Sequence, residues 1–330
     1  MSSTTRLAGT TSAQAGSDWI AEALRALITC DPEGLDAHLS QVAVNEEIVS
    51  TRGRFHCYCL ALDGNKLPRL KDLARKAARK VVDYALPHKE KRKAREQYKN
   101  TGSLEAFSEL EQKARLLFTS MPQTGEPGEV LLYLLAETYL GLPQLFCKMP
   151  LKTSSNVHVH GSDGVHAAVD AATGELALYW GEAKMYGNVA SAVSAALDSL
   201  APFLTSAGGS DSAQERDLQL IRDNLDLNDS ALEDAILKYL DPNDPCFCKL
   251  QYRGLSLIAF DSGVYPTAPN VTSDDAVREA IKKSVDAWKA RVGGRITASQ
   301  LSGFHLDMLM LPLPAVEEFR KAFLAELGQP

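Results

Sequence analysis

No stretch of this 330-residue chain is apolar for long enough to cross a bilayer. The most hydrophobic run, Val130 to Leu135, is flanked by Glu129 and Glu137 and is far shorter than the roughly 20 residues a spanning helix needs. The polar opening MSSTTRLAGTTSAQAGSDW lacks the apolar core of a secretory signal, so a cytoplasmic protein with reduced thiols is expected, with no membrane contact. Neither a Gly-rich phosphate loop nor a G-x-S-x-G elbow is present, which argues against ATP hydrolysis and against Ser-His-Asp chemistry. No internal repeat is visible. Aromatic residues are only 7% of the chain, but 45% is hydrophobic and 23% charged, and this balance excludes wholesale disorder, a collagen-like fibre and a coiled-coil rod. A chain of this length buries roughly three quarters of its unfolded surface and needs no disulfide or zinc staple.

The net charge of −7 conceals a strong segregation. Between Lys66 and Lys99 stand thirteen Lys/Arg against four Asp/Glu, an excess of +9, so the rest of the chain carries −16. Ser206 to Pro245 holds ten acidic residues against three basic ones. One basic arm and one acidic segment point to a polyanion or an acidic partner on one side only.

Residues 1–17 read as a disordered Ser/Thr/Ala/Gly tail. Residues 18–124 read as a mostly helical N-terminal region. It holds a helix through Trp19 and Leu27, a strand near Ile48 to Leu62, a basic helix carrying Leu70, Leu73, Ala77 and Val81 that stops at Pro87, and another helix opened by Ser103. From 125 to 330 the pattern is a mixed α/β core with an acidic helical insertion at about 208–245. Pro127 and Gly141 bracket a helix. Strands follow at Leu145 to Met149, Asp163 to Val169 and Glu175 to Lys184, then a helix from Asn188 to about Leu204. The chain closes with strands at Leu255 to Phe260 and Phe304 to Leu311, each followed by a helix.

A symmetric turn at Asp170 to Gly174 would oppose Val169 to Leu176, Ala167 to Leu178, Val165 to Trp180 and Asp163 to Glu182 on one face of a hairpin. Period-two alternation adds Lys184. The stripe is apolar for three rungs and then ends in two facing carboxylates and a lysine. Like charges directly opposed repel, so a cation should sit between them. Mg²⁺ suits two hard oxygen ligands completed by backbone carbonyl and water, with Mn²⁺ as a substitute. Glu129 heads the apolar stripe of the preceding helix and is placed against the sheet.

Asp163, then Glu182-Ala183-Lys184 on the next strand, with Glu129 on the helix before them, resembles the PD-(D/E)XK nuclease core. The wider segments GEVLLYLLAETYLGLPQLF, HVHGSDGVHAAVD and GELALYWGEAKMYGN resemble the nuclease-subunit family, HamA, of the bacterial Hachiman anti-phage system. That resemblance implies an α-β-β-β-α-β core and a Mg²⁺-dependent deoxyribonuclease, and little sequence preference is expected because no base-reading motif is visible. Asp163 and Glu182 would be its metal ligands, Lys184 its catalytic lysine and Glu129 an assisting carboxylate. It also implies DNA as substrate and a superfamily-2 helicase subunit, HamB, that restrains or releases the nuclease. Ser162 stands where the superfamily pattern has proline, and helix 188–204 lacks the Gln-xxx-Tyr of the RecB-like branch.

Other signals compete. His158-Val-His160-Gly-Ser-Asp163-Gly-Val-His166 invites a zinc-hydrolase reading, although the spacing does not fit the metallo-β-lactamase pattern; His158 or His160 could instead touch a substrate phosphate. Cys57/Cys59 and Cys246/Cys248 read as same-face pairs on strands, either buried as small hydrophobes or gathered into a zinc site. In the basic arm, Lys71, Arg75, Arg79, Lys89, Lys91, Arg92, Lys93 and Arg95 are expected to track DNA phosphates, or else to form a solvated helix face. The acidic segment is a solvated face, a mask for that arm or a partner contact. A non-catalytic adaptor bridging DNA and a partner is the alternative to a nuclease.

Overall fold

The computed structural model describes residues 18–119, 124–151, 161–205 and 212–329. The expected tail 1–17, His158, His160 and the linker at Gly208 to Ser210 lie outside the described residues.

One seven-stranded sheet organises the chain, in the order β1-β2-β7-β6-β5-β4-β3. Its strands are β1 (Leu39–Glu47), β2 (Gly53–Leu60), β3 (Gln144–Phe146), β4 (Gly164–Val169), β5 (Leu176–Tyr186), β6 (Leu250–Asp261) and β7 (Leu306–Leu313). β2, β7, β6 and β5 run parallel, while β1 at one end and β4 and β3 at the other are antiparallel. The central strands are covered on both faces, and they read accordingly: from Gly254 to Phe260 and from Met308 to Leu313 every residue is buried.

The helices are α1 (18–25), α2 (Pro32–Asp36), α3 (Leu70–Ala78), α4 (Val81–Ala85), α5 (His88–Thr101), α6 (Glu105–Leu116), α7 (Glu126–Leu140), α8 (Val189–Thr205), α9 (Ala213–Asn224), α10 (Ser230–Leu240), α11 (Asp274–Ala298) and α12 (Val316–Glu326). Alternation on β5 assigns them to faces. Ala183 and Met185 meet α7 where a Cβ on Gly128 would lie 3.0 Å from the Met185 side chain. Trp180, on the other face, stacks on Phe203 of α8 with ring centroids 5.4 Å apart. α7, with α3 and α12 around it, thus covers one face, and α8 with α11 the other. The sequence α7-β3-β4-β5-α8-β6 reproduces the expected order α-β-β-β-α-β.

α7 is apolar nearly all round and buried from Val130 to Ala136, as a helix enclosed by other elements must be. Pro127 lies in its first turn, and Gly141 ends it at φ 63°. The N-terminal region is not only helical: it also supplies β1 and β2, and β2 pairs with β7. β1 is an irregular edge strand whose register slips twice, with Asn45 at φ 54°, so its alternation is blurred. The anticipated strand around Ile48 to Leu62 is confined to Gly53–Leu60, because 48–52 forms the turn of the β1-β2 hairpin, where Thr51 N–H donates to the Ile48 carbonyl. Among the described residues no helix is long and apolar enough to cross a membrane.

Candidate active site

The site grows from the β4-β5 hairpin. Asp170 Oδ1 accepts N–H bonds from Ala172 and Thr173, both 2.9 Å, and Gly174 takes φ 70°, which closes the turn symmetrically. The resulting register pairs Val169 with Leu176, Ala167 with Leu178 and Val165 with Trp180, as the sequence predicts. It carries on one step past the end of β4, where Asp163 N–H donates to the Gly181 carbonyl at 3.0 Å. β4 has then ended, and the next main-chain donor, Ala183 N–H, bonds to Asp163 Oδ2 instead, at 2.7 Å. That bond fixes the Asp163 carboxylate at the rim of the hairpin.

Glu182 and Lys184 stand on the α8 side, and the Lys184 ammonium donates to Glu182 Oε1. Asp163, Glu182 and Lys184 share a cleft of about 380 Å³, walled by Ser199, Pro202 and Phe203 of α8 and by Ala213, Arg216 and Asp217 of α9. Burial, and then the charge of Asp163, push the Glu182 carboxyl up to about 8. Burial also raises Asp163, against the Ala183 N–H and the nearby lysines. Burial pulls Lys184 down, but Glu182 and Asp163 outweigh it, so its ammonium is held above the ordinary range. Two carboxylates removed from water thus compete for one positive charge. Their hard oxygens suit a divalent cation that takes one or two protein carboxylates and completes its shell with water. Among the described residues no group of three or more His, Cys, Asp and Glu is arranged to hold a metal ion.

Glu129 reaches the site from the α7 face. Its carboxylate accepts the Tyr84 hydroxyl at 2.9 Å, and the same hydroxyl lies 3.4 Å from the Asp163 carbonyl oxygen. The helix glutamate is therefore joined to the backbone of Asp163 through Tyr84 of α4. Composition carries no sign of this link, because Tyr84 and Glu129 are 45 residues apart.

A second cluster beside the rim was not anticipated. Lys148, just after β3, donates to both carboxylate oxygens of Asp217, at 2.7 and 2.8 Å, and both side chains are buried. Asp217 Oδ2 also accepts Ser162 N–H at 3.2 Å and Ser162 Oγ–H at 3.0 Å. Gly161, at φ 134°, leaves the space for this: a Cβ there would fall 1.4 Å from Lys148 Nζ. Burial lowers the Lys148 pKa against the pull of Asp217.

The remaining candidates are scattered. His166 faces away from Asp163 across the strand; buried, it bonds through Nδ1 to the Leu142 carbonyl at 2.9 Å, and burial lowers it to about 4, which removes it from any His-Asp-His constellation. Cys57 and Cys59 are buried in β2, but Cys246 and Cys248 lie on a 3-10 turn, Pro245–Lys249, not on a strand. Pro245 opens that turn and Asp244 Oδ1 caps it through Cys246 N–H at 2.8 Å. In the basic arm Lys71, Arg75, Arg79, Lys89, Arg92, Lys93 and Arg95 are exposed, but Lys91 is turned inward and donates to the Asp83 carbonyl at 3.0 Å. Arg75 pairs with Asp72 and Glu326. The acidic insertion meets the start of α5, where Asp226 accepts Lys89 N–H at 2.7 Å and Asn228 accepts the Arg92 guanidinium.

No curated protein matches the chain. The family model of HamA matches it from residue 36 to residue 327, a span that takes in the whole sheet, the hairpin rim and the insertion. The chain belongs to the HamA family, and with it to the Hachiman anti-phage defence system.

Proposed function

We propose that this chain is a Mg²⁺-dependent DNA nuclease of PD-(D/E)XK type, acting on DNA with little sequence preference as the effector of its defence system. The observation that carries the reading is the shared cleft of Asp163, Glu182 and Lys184, in which burial, and then the charge of Asp163, push the Glu182 carboxyl up to about 8. Asp163 and Glu182 would hold the ion, with Mn²⁺ able to replace it. When bound, the ion supplies Lewis-acid chemistry at the phosphoryl group. Lys184 keeps its charge and lies where it can neutralise the negative charge that builds on a phosphodiester under attack. Tyr84 and Glu129 steady the backbone that presents Asp163. The exposed cations of α3 and α5 neutralise DNA phosphates without reading bases. A superfamily-2 helicase partner restrains or releases the chain, as in the system it belongs to.

Plasmid degradation in Mg²⁺ against EDTA, with and without the co-encoded helicase, tests this. Lys184→Ala and Glu182→Ala should abolish cleavage while fold and partner binding persist; wild-type cutting by both ends the proposal. The exposed cations of α5 that lie outside the Asp163 cleft support a non-catalytic adaptor bridging DNA and a partner as the second reading. Retained anti-phage protection by the triple alanine variant at Asp163, Glu182 and Lys184 would select it.

A further inference from the structure

We propose that α9, the first helix of the acidic insertion, is a working part of this centre: Asp217 is a positioning residue for Asp163, and Arg216 receives a phosphate of the bound strand. The inference rests on the nuclease reading and deepens it. Asp163 lies one residue before the start of β4, where its own N–H makes the last main-chain bond to β5 and the described residues leading into it make none. Ser162 is the residue that sets its direction, and a proline there would restrict the backbone without help. Serine does not, and the constraint comes from outside: Asp217 binds both the N–H and the hydroxyl of Ser162 and is itself clamped by Lys148. All of these groups are buried, so the clamp is held in a medium where its bonds are strong.

Arg216, one residue earlier on α9, lines the same cleft but is exposed where Asp217 is buried. It shares that cleft with Asp163, Glu182 and Lys184, and forms no ion pair among the described residues. An unpaired planar guanidinium facing a cleft that already holds two carboxylates is suited to a phosphodiester, which it can bind through two parallel N–H bonds.

The test uses the full-length chain with its helicase partner, cutting duplex DNA in Mg²⁺. Lys184→Ala separates the two levels, since cutting by that variant removes the nuclease reading and this inference with it. If Lys184→Ala is inactive, Arg216→Ala should raise KM about tenfold with little change in kcat, the loss expected of one charge-assisted contact. In EDTA, DNA binding by the same variant should show a salt dependence shallower by about one phosphate. Asp217→Asn removes the carboxylate that Lys148 pairs with but keeps the Lys148 charge, so the decisive variant is Lys148→Met with Asp217→Leu, which removes both charges. That double variant leaves the buried Ser162 N–H and hydroxyl without their acceptor and should melt a few degrees below wild type while staying folded, yet lose about a hundredfold in kcat from the misplaced carboxylate. Its Mn²⁺ affinity should fall about ten- to a hundredfold, as when the supports of a metal ligand are removed. Wild-type KM and salt dependence in Arg216→Ala, together with wild-type kcat and Mn²⁺ affinity in the double variant, would overturn the role of α9 and leave the nuclease reading standing.

Discussion

Replacing Glu182 with glutamine should stabilise the cation-free protein while destroying its proposed activity. Glu182 is buried, and its carboxyl is raised from 4.5 to about 8, first by burial and then by Asp163. A carboxyl whose folded pKa lies above its unfolded one binds more protons folded than unfolded between the two values. Stability is therefore full below 4.5 and is lost as pH rises through 8. At 1.36 kcal/mol per unit the gross loss at pH 8 is about 4 kcal/mol. That figure already contains the attraction of Lys184, which acts downward on the Glu182 pKa. The gain for Glu182→Gln is then about 4 kcal/mol. With an unfolding entropy near 2.1 cal/mol/K per residue, this corresponds to a Tm increase of about 6 °C. Thermal melts of both proteins in EDTA at pH 8 and pH 4.5 measure it, and the advantage should be confined to pH 8. Saturating Mg²⁺ should then narrow the gap, because ligand at a hundred times Kd adds about 2.7 kcal/mol to the wild type alone. An equal or lower Tm for the variant at pH 8 in EDTA, or an advantage undiminished at pH 4.5, would refute the electrostatic account.

Three further perturbations probe the frame that holds the site. Burial acts upward on Asp170, but the Arg253 guanidinium and the Ala172 and Thr173 N–H groups prevail and hold it at about 2, so its stabilisation is present above 3.8 and lost as pH falls through 2. Asp170→Asn should therefore cost about 2 kcal/mol in urea melts at pH 7 and progressively less on acidification; a pH-independent deficit would contradict this. Trp180→Ala, which empties a fully buried position stacked on Phe203, should lower stability by about 3–5 kcal/mol in chemical denaturation. Gly254→Ala would set a Cβ 2.5 Å from Leu200 and 2.6 Å from Leu306, and should cost about 1–3 kcal/mol. Leu200→Val in the same chain should recover part of that loss, and no recovery would mean that the clash with Leu306 decides the cost.

The hairpin was legible because its constraints are local. Turn chemistry at Asp170 to Gly174 fixes the register, and the register places Asp163 opposite Glu182 across a handful of residues. Helix α7 was equally plain, since Pro127 and Gly141 mark its ends and its apolar run fills the space between. β1 was hidden by its own irregularity, two slips and a left-handed Asn45 having erased the alternation that marks a strand. Cys246 and Cys248 misled because an i, i+2 spacing reads as one face only if the backbone is extended, and Pro245 with Asp244 makes it helical there.

What could not be read is how charge is spent. Ten acidic residues between Ser206 and Pro245 look alike in a sequence, and a net count treats them as one solvated face. In three dimensions they divide. Asp217 is buried against Lys148 and Ser162, Asp226 caps the incoming end of α5, and Glu215 pairs with Arg222 within its own helix. The basic arm divides in the same way, Lys91 going inward while its neighbours Arg92 and Lys93 stay outside. Only helical phase relative to the packed face decides which charge is buried, and that phase depends on contacts 55 to 69 residues away, between α9 and the ends of β3 and β4. A buried ion pair adds little to stability compared with a well-packed apolar pair, so its presence beside the cleft calls for a reason other than holding the fold. The reason the geometry offers is that Lys148 and Asp217 hold Ser162, the residue that hands the chain on to Asp163 beside Glu182.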